Sequence, residues 1–137
     1  MPHQRMRKFN TRDVYSNVKI DNDMCMVVRA GRHIFVRGQT GFDLSGRFVG
    51  VGDAAAQADQ ALKNVKVLLQ EAGSKLEHIC KVTTYITDRA YREPVYNAIG
   101  KHLRGIHPCG TGLIVNGLAL PEMLVEIDFD AVIPEDE

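Results

Sequence analysis

Between Met123 and Val132 the chain alternates strictly. Met123, Val125, Ile127, Phe129 and Ala131 are apolar, and Leu124, Glu126, Asp128 and Asp130 fall between them. Successive side chains of an extended strand point to opposite faces, so this segment is a strand with an oily side and an acidic side. The oily side has to lie under a covering layer, and the acidic side has to meet water or another surface.

The rest of the chain supplies the covering layer and the neighbouring strands. Arg5 to Phe9 has the pattern of an edge strand. MCMVVRA from Met24 and HIFVRG from His33 are joined by Gly31-Arg32, the spacing of a β-hairpin. The fifteen-residue connection GQTGFDLSGRFVGVG follows, and loops of that length in compact domains are more often functional than idle. Asp53 as N-cap and Gly73 as C′ residue enclose a helix in which Ala58, Ala61, Leu62, Val65, Leu68, Leu69 and Ala72 recur at helical spacing. ICKVTTYIT, from Ile79 to Thr87, is β-branched and alternating, hence a strand. A second helix over roughly Tyr91 to Leu103 has to begin near Pro94, because proline is tolerated only in the first turn. A further strand runs roughly from Thr111 to Val115. The sum is one α+β domain over residues 1–137, a mixed five- to six-stranded sheet with two helices packed on one face. Leu124 and Val132 share the second face with the acids, so self-association against that face is expected.

Charge and cysteine usage narrow the function. Seventeen basic residues balance seventeen acidic ones, which removes the electrostatic drive behind most nucleic-acid and anionic-membrane binding. No apolar run nears the ~20 residues of a membrane helix, and MPHQRMRKFN holds no apolar stretch of a secretory signal. The expected location is the cytoplasm. Cys25, Cys80 and Cys109 are odd in number and lack C-x-x-C spacing, so they read as reduced thiols.

Several constellations bear on chemistry. Gly50-x-Gly52-x-x-Ala55 mimics a dinucleotide fingerprint, but only Phe48 and Val49 precede it as strand and Glu71 falls inside the helix, so a loop and cap is the better reading. His78-x-Cys80 and His107-x-Cys109 offer metal-ligand types, yet nothing in the sequence joins the two pairs. No metal is expected, and the ordinary alternative is a buried Cys80 with solvent-facing histidines. Cys109 beside His107 suggests a nucleophile and its base, although no asparagine or aspartate is placed to orient the histidine; a small residue lining a cleft is the plainer alternative. Glu126 lies on a strand whose opposite face is core, where desolvation raises a carboxyl pKa toward the range useful in proton transfer. The ordinary alternative is a solvated glutamate, or one paired with Arg29 or Arg37. Arg37 stands beside Gly38 at a strand end; its planar fork suits a carboxylate and the glycine lets a ligand approach, against the alternative of a surface ion pair.

Three blocks carry a family resemblance: FVRGQTGFDLSG after the hairpin, QADQALKNVKVLLQEAGSKLEHICKVTTYITD in the middle, and PCGT followed by LPEMLVEID. Over roughly Met24 to Pro134 the chain resembles the Rid/YjgF family, the reactive-intermediate deaminases. The resemblance implies a chorismate-mutase-like fold and a homotrimer with clefts between subunits. It also implies hydrolysis of enamines and imines such as 2-aminoacrylate to a keto acid and ammonia, without metal or organic cofactor. By position, Gly38 and Gln39 match the family's Ser-Gly-Gln while Arg37 replaces its serine. The family's tyrosine, about thirteen residues upstream, falls on Met24. The asparagine of the second helix falls near Val95 or Tyr96. The carboxylate-gripping arginine of Pro-x-Arg-Ser falls on Gly110, between Cys109 and Thr111. Glu126, which positions water in the family, is retained.

Losing that arginine removes charge-assisted recognition in a desolvated cleft. Positions 37 and 110 are both expected to line one cleft, so Arg37 is expected to bind the anion from a different wall while Gly110 leaves the space vacant. The expected function is an enamine or imine deaminase, or a related hydrolase, acting on a small anionic metabolite. Glu126 is its expected catalytic residue, and Arg37, Gly38, Met24, Tyr96, Cys109, Gly110 and Thr111 are its expected substrate-binding residues. The alternative is a non-catalytic trimer that binds a metabolite or a partner protein in the same clefts. Family members also carry an endoribonuclease label, against which the zero net charge and the lack of a basic, aromatic-rich stripe both count.

Overall fold

The alternating segment sits between two neighbours inside a six-stranded sheet. The computed structural model describes residues 2–15 and 19–137. Its strands are β1 (Gln4–Asn10), β2 (Asp23–Ala30), β3 (His33–Gln39), β4 (Ile79–Ile86), β5 (Cys109–Ile114) and β6 (Val125–Val132), in the order β1-β2-β3-β6-β4-β5. β6 is antiparallel to β3 on one side and to β4 on the other. β3 and β4 therefore run the same way, and helix α2 (Ala54–Glu71) makes the crossover between them. Helix α3 (Arg92–Leu103) makes the second crossover, from β4 to its parallel neighbour β5. A four-residue helix α1 (Thr11–Val14), which the polar N-terminal segment does not announce, follows β1.

The oily side of β6 meets α2. Val125, Ile127 and Ala131 are fully buried, as are Ala58, Ala61, Leu62, Val65, Leu68 and Leu69 of the helix. Each of the larger side chains contributes about 1.5–3 kcal/mol by leaving water. Asp53 caps α2 by accepting from the Ala56 amide at 3.0 Å. Gly73 leads the chain out of the helix at φ +81°, a conformation that costs other residues more. Pro94 falls in the first turn of α3, where its missing N–H has no partner to lose.

Most boundaries differ from the sequence reading by a residue or two, and two of the differences have a visible cause. β5 starts at Cys109, because its pairing with Lys81 begins there, and β6 starts at Val125, because Met123 is held in a turn by the hydrogen bond that its amide donates to the Leu120 carbonyl. The expected burial of one His–Cys pair is also reversed: Cys80 is exposed and His78 is buried. His78 tolerates burial because Ser74 Oγ lies 2.8 Å from its Nδ1 and Glu137 Oε2 lies 3.2 Å from its Nε2. Among the described residues no helix is long and apolar enough to cross a membrane.

Both long helices lie on one face, and the other carries Glu126, Asp128 and Asp130 with the exposed apolar side chains of Phe35 and Val132. β5 is exposed along its whole length.

Two polar residues on the buried side of α2 tie the long loop to this core. Gln57, with no exposed surface, donates to the Gly50 and Glu122 carbonyls at 2.9 and 3.1 Å and accepts from the Leu124 amide at 2.9 Å. It thus joins the loop before α2 to the start of β6. Gln57→Leu keeps the volume and leaves three backbone groups without their partner, so urea unfolding should show a loss of about 3 kcal/mol or more; a loss below about 0.5 kcal/mol would mean that water replaces the side chain without cost.

Candidate functional site

β3 does not run regularly into the loop that follows it. Val36 pairs with Phe129 while Gln39 pairs with Ile127, so three steps along β3 cover two along β6. The extra residue is a β-bulge centred on Arg37 and Gly38. It reverses the alternation, so that Val36 and Gln39 are both buried although they are three apart. Gln39 Nε2 donates to the Arg37 carbonyl at 2.8 Å, and Asn64 Nδ2 of α2 donates to Gln39 Oε1 at 3.2 Å and to the Phe42 carbonyl at 2.6 Å. The bulge and the loop after it are therefore fastened to the helix.

Gly38 makes room for Glu126. A Cβ at position 38 would overlap the Glu126 carboxylate and come within 2.9 Å of its Cγ, so any other residue there moves the carboxylate. Burial against β3 pushes the Glu126 pKa above the ordinary glutamate value; Arg37 opposes the shift and Asp128 adds to it. Asp128 in turn accepts from the Tyr85 hydroxyl at 3.0 Å, which raises the Tyr85 pKa.

Arg37 reaches toward the N-terminal segment. Its Nη2 donates to the Tyr15 hydroxyl at 3.2 Å, and its Cζ lies 4.9 Å from the centroid of the Phe9 ring. Among the described residues it forms no ion pair with a carboxylate, which leaves most of its fork of donors available to a ligand. Arg37, Gly38, Glu126, Tyr15 and Phe9 line one cavity of about 380 Å³. Arg37 lowers the Glu126 pKa without bonding to it, and both groups border the same cavity.

The other expected residues lie elsewhere in the chain. Tyr96, Gly110 and Thr111 border a second cavity of about 360 Å³ between α3 and β5. There the Tyr96 hydroxyl occupies the place that a Cβ on Gly112 would take, and Thr111 Oγ1 accepts from Lys81 Nζ at 3.3 Å. Met24 is exposed beside Phe9 at the start of β2 and borders neither cavity, and Cys109 is exposed at the start of β5. Within one chain, then, Arg37, Gly38 and Glu126 come together and Gly110 does not join them. No group of metal-ligand side chains forms among the described residues. Gly50 and Gly52 take positive φ at the entry to α2, as a loop and cap require.

Tyr15 and Phe9 are the cavity residues that sequence reasoning missed. Counting upstream from position 37 lands on Met24 only if the chain follows the family's spacing. Here Tyr15 directly follows the helical turn after β1 and stands eight positions before β2 begins at Asp23, so no count from the hairpin finds it.

Comparison with known proteins adds an independent line. The family described as Endoribonuclease L-PSP matches residues 18–133. Protein DfrA of Myxococcus xanthus is 32% identical over 106 residues, 77% of this chain and 79% of that protein. A RutC family protein of Synechocystis is 29% identical over 108 residues, 78% of this chain and 83% of its own length. Among solved structures, Rv2704 of Mycobacterium tuberculosis, a member of the YjgF/YER057c/UK114 family, superposes with a TM-score of 0.77 at 26% identity over 96% of this chain and all of that one. Both have the chorismate-mutase-like fold.

The position of Glu126 has a consequence for stability. Its folded-state pKa is raised, so its ionisation opposes folding once the pH passes the ordinary glutamate value of about 4.3. Below that value the folded and unfolded chains are both protonated and nothing is lost. Glu126→Gln should therefore melt higher than the parent at neutral pH, with the difference closing as the pH falls into the ordinary glutamate range. A variant that melts lower at pH 7 would show the carboxylate to be stabilised by its surroundings.

Proposed function

The chain belongs to the Endoribonuclease L-PSP family, which includes the Rid/YjgF proteins, and from that premise we propose that it is a cofactor-independent hydrolase that deaminates a small anionic imine or enamine. Family membership supports a deaminase or related small-molecule function in general. The observation that carries the finer reading is the cavity in which Arg37 and the half-buried Glu126 face the same space without bonding to each other.

Arg37 binds the substrate carboxylate through its planar fork. Tyr15 and Phe9 hold the guanidinium in place by a hydrogen bond and by ring contact. Glu126 orients a water at the imine carbon. The water oxygen bonds to that carbon while its proton passes through the Glu126 carboxylate to nitrogen. The proton left on the added hydroxyl follows by the same carboxylate to nitrogen, the C–N bond breaks, and ammonia leaves as the hydroxyl oxygen becomes the carbonyl of the keto acid. A carboxyl with a raised pKa suits both halves of that transfer near neutral pH. The homotrimer is part of the proposal: the exposed edge strand β5 and the uncovered acidic face are what subunit contacts would bury. The net charge of zero makes RNA a poor substrate.

The test is ammonia release from imino acids generated in the assay by an amino-acid oxidase. Arg37→Ala should raise KM about 10- to 100-fold, the range that corresponds to ~1.5–3 kcal/mol for a hydrogen bond to a charged group. Glu126→Gln should lower kcat by roughly 10²- to 10⁴-fold with KM little changed. Equal rates for Arg37→Ala and the parent would remove Arg37 from the reading. If imines are not hydrolysed at all while a carboxylate ligand still raises the melting temperature, the protein is a binding trimer.

A further inference from the structure

The cavity beside Arg37 and Glu126 is larger and oilier than a three-carbon acid requires. Its volume of about 380 Å³ lies within the ~300–1,000 Å³ of pockets that enclose drug-sized ligands. Away from Arg37, Gly38 and Glu126 the apolar part of the wall is carried by Phe9, Val14, Met26, Phe42, Leu44 and Met123, beside the uncharged polar side chains of Tyr15, Gln39 and Thr40. The charged side chains on that wall are mostly committed to other groups. Arg7 forms two bonds to Glu71 at 2.8 and 2.7 Å, Asp13 accepts from the Asn10 amide at 3.2 Å, and Asp43 accepts from the Ser45 and Arg47 amides at 2.9 and 3.0 Å. Lys8 is exposed.

The oily wall is also preformed. Asn64 holds the Phe42 carbonyl from the buried side, and the Phe42 ring meets Phe48 edge-on with centroids 4.9 Å apart. A surface already fixed in place loses little entropy when a ligand settles on it. A two- or three-carbon imine bound by Arg37 would leave that surface facing water.

We propose that the site selects 2-imino or 2-enamino acids whose side chain is apolar and of branched-chain or ring size, with the carboxylate on Arg37 and the side chain against Phe9, Val14, Phe42 and Leu44. The inference rests on the reading that this cavity hydrolyses an imine, and it specifies which imines. The reaction balances as before, with one water consumed and one ammonia released, and it needs no oxidant or reductant beyond the oxidase that generates the imine.

The experiment has a rate arm and a binding arm, both on the full chain. In the first, a D-amino-acid oxidase generates the imines of alanine, leucine and phenylalanine in the assay, and the acceleration of ammonia release is measured. The leucine and phenylalanine imines should show at least a tenfold higher kcat/KM than the alanine imine, the scale on which an apolar pocket separates ligands that differ by a methylene or more. In the second, phenylpyruvate should raise the melting temperature at concentrations where pyruvate does not. Val14→Trp, at a half-exposed position that accepts bulk, should narrow both ratios. An alanine imine hydrolysed as well as the larger two would overturn the size selection and leave the deaminase reading intact. If no imine is hydrolysed, the deaminase reading fails and the binding arm decides the selection alone: equal stabilisation by the two keto acids, or none by either, overturns it.

Discussion

The extra residue that β3 carries between Val36 and Gln39 decides which way three side chains face. Without it, Gln39 would share a face with Arg37, and Gly38 would lie on the core side with Val36. With it, Gln39 turns inward to bind the Arg37 carbonyl and the Asn64 amide. Gly38 comes under Glu126, and Arg37 is directed toward Tyr15 and Phe9. A bulge leaves backbone groups without ladder partners, a cost that has to be met locally. Gln39 and Asn64 meet it with two buried amides, which is why polar side chains occupy positions that the core would otherwise fill with leucine or valine.

How much of this the sequence discloses follows from the range over which each signal acts. The sides of β6 are legible because a period of two is a local property, and the α2 boundaries are legible because Asp53 and Gly73 act within one turn. Glu126 is legible as a candidate for desolvation, since Leu124 flanks it on a face expected to meet another subunit, but its close approach to Gly38 is not. The bulge is not, because HIFVRGQ reads as unbroken alternation until the partner strand is known. Tyr15 is not, because its distance from Arg37 along the chain says nothing about how the N-terminal segment folds back. The reversal of His78 and Cys80 has the same origin: the Ser74 and Glu137 partners that make a buried histidine tolerable come from a helix exit and the far end of the chain.

The electrostatics of the cavity are a compromise held by geometry. Burial favours the neutral form of Glu126 and Arg37 favours the charged one, with Asp128 on the side of burial. A direct ion pair would let the arginine prevail, fixing the carboxylate in its charged form and occupying the donors that a ligand needs. The contacts of Arg37 with Tyr15 and Phe9 prevent this by holding the guanidinium toward the N-terminal segment. The hydroxyl of Tyr85 fixes the Asp128 carboxylate in position by a hydrogen bond of 3.0 Å. Removing any one of these restraints shifts the balance at Glu126 without touching Glu126 itself.

Gly110 belongs to the same argument. Were a second guanidinium to approach Glu126 from position 110 of a neighbouring copy, two cations would bear on one carboxylate, and the pKa raised by burial would be driven back down. An arginine at 110 suits a site whose other wall is a serine; it does not suit one whose other wall is already Arg37. In the proposed trimer, positions 37 and 110 would be coupled through the protonation state of Glu126 as well as through recognition of a carboxylate. Restoring an arginine at 110 while keeping Arg37 would tighten anion binding and lower the Glu126 pKa together, so a better grip on the substrate would come with a poorer proton carrier.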